Sequence, residues 1–202
     1  MSDLRVVLWR HGRTEWNAAG RFQGQRDTEL DASGIAEASA AATTLATLGP
    51  TRIVSSDAVR ATATAALLAD RTDLRVDTDK RLREIDLGAW TGLTRDEASA
   101  QFPEEYAAWY AGSDAGRGGG ESYPQVAQRA RAAVDERLTA DSDGVVVVVS
   151  HGGTSRALIG SLLELPSAAW WRLSALGNAR WSVVVQTSRG WRLAEHNVGA
   201  VP

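Results

Sequence analysis

Two stretches set groups capable of chemistry at the ends of apolar runs. Leu4 to Gly12 is a β-branched run that ends abruptly in Arg10-His11-Gly12, and Val145 to Val149 runs likewise into Ser150-His151-Gly152-Gly153. Both read as buried strands, and in open α/β sheets ligands bind at the carboxyl edge of the strands. Two strands that each end in His-Gly therefore bring two imidazoles to one pocket. An isolated histidine at a strand end is more often a satisfied structural residue. Here an arginine at the end of a buried strand calls for an anion, and Gly12 permits close backbone approach. The polar continuation Arg13-Thr14-Glu15-Trp16-Asn17 can fold back over His11. A second chemistry uses the same groups: His11, His151 and Glu84 as a two-histidine, one-carboxylate metal site. The neighbouring arginines oppose it, because guanidinium groups repel a divalent cation.

The elements that would hold these groups alternate between strand and helix. A loop from Arg13 to Leu30 precedes an Ala-rich helix that starts near Asp31 and stops at Gly49-Pro50. A strand at Arg52–Ser55 leads to a helix from Ala58 to about Asp70, capped by Ser56 or Asp57. Leu74 to Val76 is a further strand. Thr94-Arg95-Asp96-Glu97 and Ser122-Tyr123-Pro124-Gln125 have the form of capping boxes, and a short helix is expected from Glu105 to Tyr110. Ala111 to Gly120 carries five glycines and reads as the most flexible stretch. After the Val145 strand come a helix from Thr154 to about Leu165 and a hairpin of Trp181–Val185 with Trp191–Leu193. The order predicts a three-layer α/β sandwich, a mainly parallel sheet flanked by helices on both faces with one antiparallel edge. It reads as a single domain over 1–202 with a lid-like insertion at about 94–122.

Composition narrows the function classes. The chain has 202 residues, a formal net charge of -3 and no cysteine. Disulfides, thiolate nucleophiles and cysteine zinc sites are excluded, and nothing electrostatic points to nucleic acid or an anionic membrane. No apolar run approaches the roughly 20 residues that span a bilayer. Met1-Ser2-Asp3 leads straight into a strand without a tripartite signal, so a cytoplasmic location is expected. A homodimer along the exposed sheet edge fits the pattern. The eight scattered tryptophans read as packing residues. His196, on the closing hairpin, reads as structural or surface.

Arg10-His11-Gly12-x-Thr14-x-x-Asn17 followed by Gln23-Gly24 resembles the signature of the histidine phosphatase superfamily, the phosphoglycerate-mutase-like proteins. Ser55-Ser56-Asp57 with Arg60-Ala61, Leu82-Arg83-Glu84, Gly119-Gly120-Glu121-Ser122 and Ser150-His151-Gly152-Gly153 fall in that family's order. The resemblance implies that His11 attacks phosphorus through a neutral ring nitrogen, with the other nitrogen fixed by a backbone carbonyl. Arg10, Arg60 and His151 would surround the phosphoryl oxygens, and the amides after His151, Gly152 first, would form an anion site at a helix start. Glu84 would be the general acid, with Asp86 or a plain Arg83 ion pair as the competing readings. Asn17, Gln23 and Gly24 would contact the substrate, a small phosphorylated metabolite. No metal or cofactor is implied. Asp27-Thr28-Glu29-Leu30 departs from many relatives, which carry proline before the leucine.

In this family the glycolytic mutases are longer, with a C-terminal tail that can close the site. Asn197 to Pro202 is short, so hydrolysis is expected rather than phosphoryl return. A non-catalytic relative would have lost the nucleophile or the acid, and both residues are here. The runs Gln23 to Leu30, Ile53 to Asp57, Arg81 to Gly92 and Leu176 to Trp181 resemble the glucosyl-3-phosphoglycerate phosphatase branch. Phosphoglycerate mutase and broad-specificity phosphomonoesterase are the alternatives.

Overall fold

A computed structural model describes residues 4–138 and 144–200. The leader reading on Met1 to Asp3 and the last two residues of the short tail lie outside them. The elements in order are β1 (Arg5–Arg10), α1 (Glu15–Ala18), α2 (Ala32–Ala46), β2 (Pro50–Ser55), α3 (Val59–Thr72), β3 (Val76–Thr78), α4 (Arg95–Gln101), α5 (Pro103–Tyr110), α6 (Tyr123–Asp135), β4 (Val145–Ser150), α7 (Gly152–Leu162), β5 (Trp181–Thr187) and β6 (Gly190–Val198). The strands form one sheet in the order β3-β2-β4-β1-β5-β6. The pairings β3-β2, β2-β4 and β4-β1 are parallel, whereas β5 and β6 run antiparallel. This is the expected three-layer sandwich with its antiparallel side.

Both sheet faces are buried, which is why the central strands are valine runs without alternation. Val7, Trp9, Val147 and Val149 pack with Ala38, Leu45, Ala65 and Leu68 of α2 and α3. Val6, Leu8, Val146 and Val148 pack on the other face with Ala130, Ala133, Leu158 and Ile159 of α6 and α7. Each fully buried valine or leucine contributes roughly 1.5–3 kcal/mol. Such a strand lacks the alternation that fixes register, so its polar end does that work. Ser150 Oγ donates to the Leu82 carbonyl at 2.8 Å, and the Ser150 carbonyl accepts from His11 N at 3.0 Å. With Arg10 opposite Ser150 in the β1-β4 register, His11 and His151 follow side by side.

Several elements differ from expectation. The loop after His11 contains one helical turn, α1, closed by a capping box between Thr14 and Asn17. Helix α7 begins two residues before Thr154, with His151 as its N-cap residue, and β3 lies two residues beyond the predicted strand. Neither Ser56 nor Asp57 caps α3 as predicted. The cap residue is Ala58, which makes no side-chain cap bond. Instead Asp27 reaches across from the loop to accept from Val59 N at 3.1 Å. Asp57 pairs with Arg83 at 2.7 Å.

The glycine-rich stretch is not a loose tether. Ala89 N donates to Gly118 O and Glu121 N to Asp86 O, both at 2.9 Å. Gly118 has φ +57, and a Cβ there would stand 2.6 Å from Ala89 N. These glycines permit a backbone seam that residues with side chains would pry apart. Among the described residues, no helix is long and apolar enough to cross a membrane.

Gly34, in the first turn of α2, sits so tightly under Arg13 that a Cβ would lie 2.0 Å from the Arg13 carbonyl oxygen. Gly34→Ala should therefore destabilise the fold by about 1–3 kcal/mol or more. A denaturant midpoint unchanged from the parent would refute that packing.

Candidate active site

The carboxyl ends of β1 and β4, the start of α3 and the segment around Glu84 converge on one cavity of 160 Å³. Arg10, His11, Asn17, Gln23, Gly24, Arg60 and Glu84 all line it, together with Arg117, Tyr123 and Gly153. His151 and Gly152 are predicted site residues that stand behind this wall. The His151 ring centroid is 5.2 Å from that of His11, and a Cβ on Gly152 would lie 3.6 Å from the Arg10 guanidinium.

His11 is 2% exposed. Its Nδ1 lies 2.7 Å from the Gly12 carbonyl oxygen, which can only accept, so Nδ1 carries the proton and Nε2 a lone pair. Arg60 Nε donates to that Nε2 at 3.2 Å. The rest of the Arg60 guanidinium donates to the carbonyls of Arg26 at 2.7 Å and Gly24 at 2.9 Å. Arg60 is 1% exposed, and burial pushes its pKa down to about 10. It stays cationic at neutral pH. Arg10 donates through Nη1 to the Leu176 carbonyl at 2.7 Å, while its buried Nε has no partner among the described residues. His151 Nε2 lies 2.9 Å from Ser56 Oγ, and its buried Nδ1 is likewise unpartnered.

Glu84 departs from expectation. The amides at the start of α7, expected to meet phosphate, are taken by this carboxylate: Gly153 N donates to Oε2 at 3.0 Å and Thr154 N to Oε1 at 2.9 Å. Ile85 N adds a third bond to Oε1. A helix N-terminus attracts the nearest anion, and an internal carboxylate outcompetes one that must be bound from solution. Asp86 is exposed and bonds Gly88 N, and Arg83 pairs with Asp57; neither competing reading of Glu84 is realised.

Asn17 and Gln23 are anchored within the loop. Asn17 Oδ1 accepts from Thr14 and from Asn178 Nδ2 at 3.0 Å. Gln23 Oε1 accepts from Thr28 Oγ1 at 2.6 Å. Asn178 also donates to the His11 carbonyl at 3.3 Å, a supporting contact that sequence reasoning missed. Leu176-Gly177-Asn178 was visible as a pattern, but nothing in it indicated what it would touch. His196 is no part of the site; it holds Ser174 and Ser182 at 3.0 and 2.9 Å. The metal alternative is not supported by the donors. Both His11 ring nitrogens are engaged, and among the described residues no three His, Asp or Glu side chains group as metal ligands.

Burial holds both rings well below the ordinary imidazole value of 6.5, with Arg10 and Arg60 acting in the same direction. The native state therefore binds fewer protons than the unfolded chain below that value, so stability is full above about pH 6.5 and falls as pH drops beneath it. Each histidine contributes a slope of up to about 1.4 kcal/mol per pH unit. Denaturant midpoints between pH 7.5 and 5 should decline, and more shallowly in His11→Asn. Identical slopes would refute a neutral buried ring.

Comparison with known proteins follows the same lines. The sequence profile of the histidine phosphatase superfamily (branch 1) matches residues 6–199. The glucosyl-3-phosphoglycerate phosphatase of Mycobacterium tuberculosis is 43% identical over 199 residues, covering 95% of this chain and 88% of its own. A probable phosphoglycerate mutase of Erwinia tasmaniensis is 37% identical over 171 residues, covering 84% and 80%. A solved structure of the mycobacterial glucosyl-3-phosphoglycerate phosphatase in complex with VO3 superposes with a TM-score of 0.90 at 41% identity, over 96% of this chain and 99% of that one. The chain is a member of the histidine phosphatase superfamily, branch 1.

Proposed function

We propose that this chain is a cytoplasmic phosphatase that hydrolyses a phosphomonoester of the glucosyl-3-phosphoglycerate class through a phosphohistidine on His11. The observation that carries the reading is the His11 tautomer, with Nδ1–H fixed on Gly12 O and the Nε2 lone pair facing a guanidinium. On substrate binding, phosphoryl oxygens displace that lone pair as the partner of Arg60 Nε. His11 Nε2 then attacks phosphorus, and the P–O bond to the alcohol breaks. Arg10, Arg60 and His151 stabilise the charge as it redistributes. His151 donates from Nδ1 if Ser56 donates to its Nε2.

Glu84 protonates the departing alcohol oxygen. Its Oε1 accepts from Ile85 N and Thr154 N, whereas Oε2 accepts only from Gly153 N among the described residues. Oε2 is therefore the oxygen free to carry the transferred proton. The resulting carboxylate takes a proton from water, whose oxygen attacks phosphorus as the N–P bond breaks, releasing inorganic phosphate and restoring both His11 and the acid. Asn17 Nδ2 and Gln23 Nε2, whose amide oxygens are already engaged, donate to the substrate. Gly24 and Gly152 act through the arginines that they adjoin. The relatives named glucosyl-3-phosphoglycerate phosphatase match more of this chain at higher identity than the relative named as a mutase, which favours hydrolysis.

Three experiments test the reading. His11→Ala should abolish phosphate release, and an acid-labile N–P adduct should appear on His11 in the parent on rapid quenching; label on any other residue would sink it. Glu84→Gln should lower kcat by about 10²–10⁴ on alkyl phosphates and much less on an aryl ester whose leaving group needs no proton. Supplying 3-phosphoglycerate with and without 2,3-bisphosphoglycerate separates phosphatase from mutase, since interconversion without phosphate release would mark a mutase.

A further inference from the structure

The cavity holds one cation more than phosphoryl transfer requires. Arg10 and Arg60 border His11, and Arg21 is satisfied by the Gly92 carbonyl and Glu97. The remaining guanidinium on the wall is Arg117. It is 5% exposed, and its buried Nε has no hydrogen-bond partner among the described residues. No carboxylate pairs with it there. Aromatic rings back it instead, with Trp109 and Tyr123 centroids 5.5 Å away. A second guanidinium, Arg156, packs 4.7 Å over the Trp171 ring, and its own buried Nε is unpartnered. Burial disfavours the charge on Arg117 and Arg156 acts the same way, against attraction from Tyr123 and Glu84 and a side-chain hydrogen bond to Tyr123. A buried guanidinium near a partly buried one, each with an unmet Nε donor, is costly unless an anion joins them.

Position is fixed in advance. The Gly118 and Glu121 hydrogen bonds to Ala89 and Asp86 hold the loop, and Gly118 N donates to Glu105 Oε1 at 2.5 Å. A receptor ordered before binding pays no ordering cost when the ligand arrives. A phosphomonoester dianion balances Arg10 and Arg60 and leaves the buried Arg117 Nε without an acceptor among the described residues. Among the described residues Glu84 is the only carboxylate on the cavity wall, and it is occupied with the start of α7.

We propose that Arg117, backed by Arg156, is a specificity-determining residue that receives a carboxylate carried by the same small molecule as the phosphate. The inference rests on the phosphatase reading and assigns a residue of this chain to the carboxylate of the proposed ester. A guanidinium and a carboxylate make strong charge-assisted hydrogen bonds. A site built for that pair rejects the analogue that lacks the group.

The test compares 3-phosphoglycerate with glycerol 3-phosphate, which carries a hydroxymethyl group in place of the carboxylate. The parent should prefer 3-phosphoglycerate at least tenfold in kcat/KM. Arg117→Gln should lower that ratio tenfold or more, chiefly through KM for 3-phosphoglycerate, and Arg117→Lys should keep part of it. No preference in the parent, or equal losses on both esters in Arg117→Gln, overturns the proposal. If the parent hydrolyses neither these esters nor glucosyl-3-phosphoglycerate, the phosphatase reading fails by itself. Calorimetric binding of the same two esters then judges Arg117 by the same ratio, and absence of a binding preference overturns it. Circular dichroism and the Lys variant guard against reading misfolding as lost recognition.

Discussion

An imidazole kept uncharged inside a ring of guanidinium groups is the constraint that the rest of this structure serves. His11 can act as a nucleophile only as a neutral ring with its proton on Nδ1, and burial, Arg10 and Arg60 all disfavour the charged form. The same cations that keep it neutral are those an incoming phosphoryl group needs. Burial therefore does two things at once: it leaves the His11 ring unprotonated and it strengthens the field of the cations around it.

The fold supplies this arrangement through backbone rather than through side chains. Arg60 is held by the carbonyls of Gly24 and Arg26, Arg10 by that of Leu176, and the His11 proton by that of Gly12. Main-chain acceptors carry partial charge only, so they orient the cations without neutralising them. Carboxylates in the same places would orient them equally well and cancel the field. The parallel pairing of β1 and β4 sets both histidines at one edge, and the antiparallel β5 closes the other flank of β1.

Much of this was legible in the sequence. Valine runs ending in His-Gly read correctly as central strands, and the capping boxes at Thr94 and Ser122 stand where expected. Seven of the predicted site residues line the cavity. What escaped were contacts between segments distant in the chain. No local signal says that Asp27 will cap a helix that begins at Val59, or that Asn178 will brace His11. The glycines from Gly116 to Gly120 were read as freedom to move, because composition cannot separate a glycine that flexes from one that lets two backbones touch. Arg117 was hidden for that reason: a lone arginine inside such a run looks solvated until the seam beneath it is seen.

That seam also ties together two properties usually treated as separable. The strand of chain bearing Arg117 is stitched, main chain to main chain, to the residues just after Glu84. Replacing the loop with one from a relative to alter substrate range would disturb the segment that follows Glu84 as well. On the proposed roles of Arg117 and Glu84, selectivity and turnover are thus mechanically linked, and diversification would proceed more freely by exchanging side chains on the existing loop than by grafting new ones.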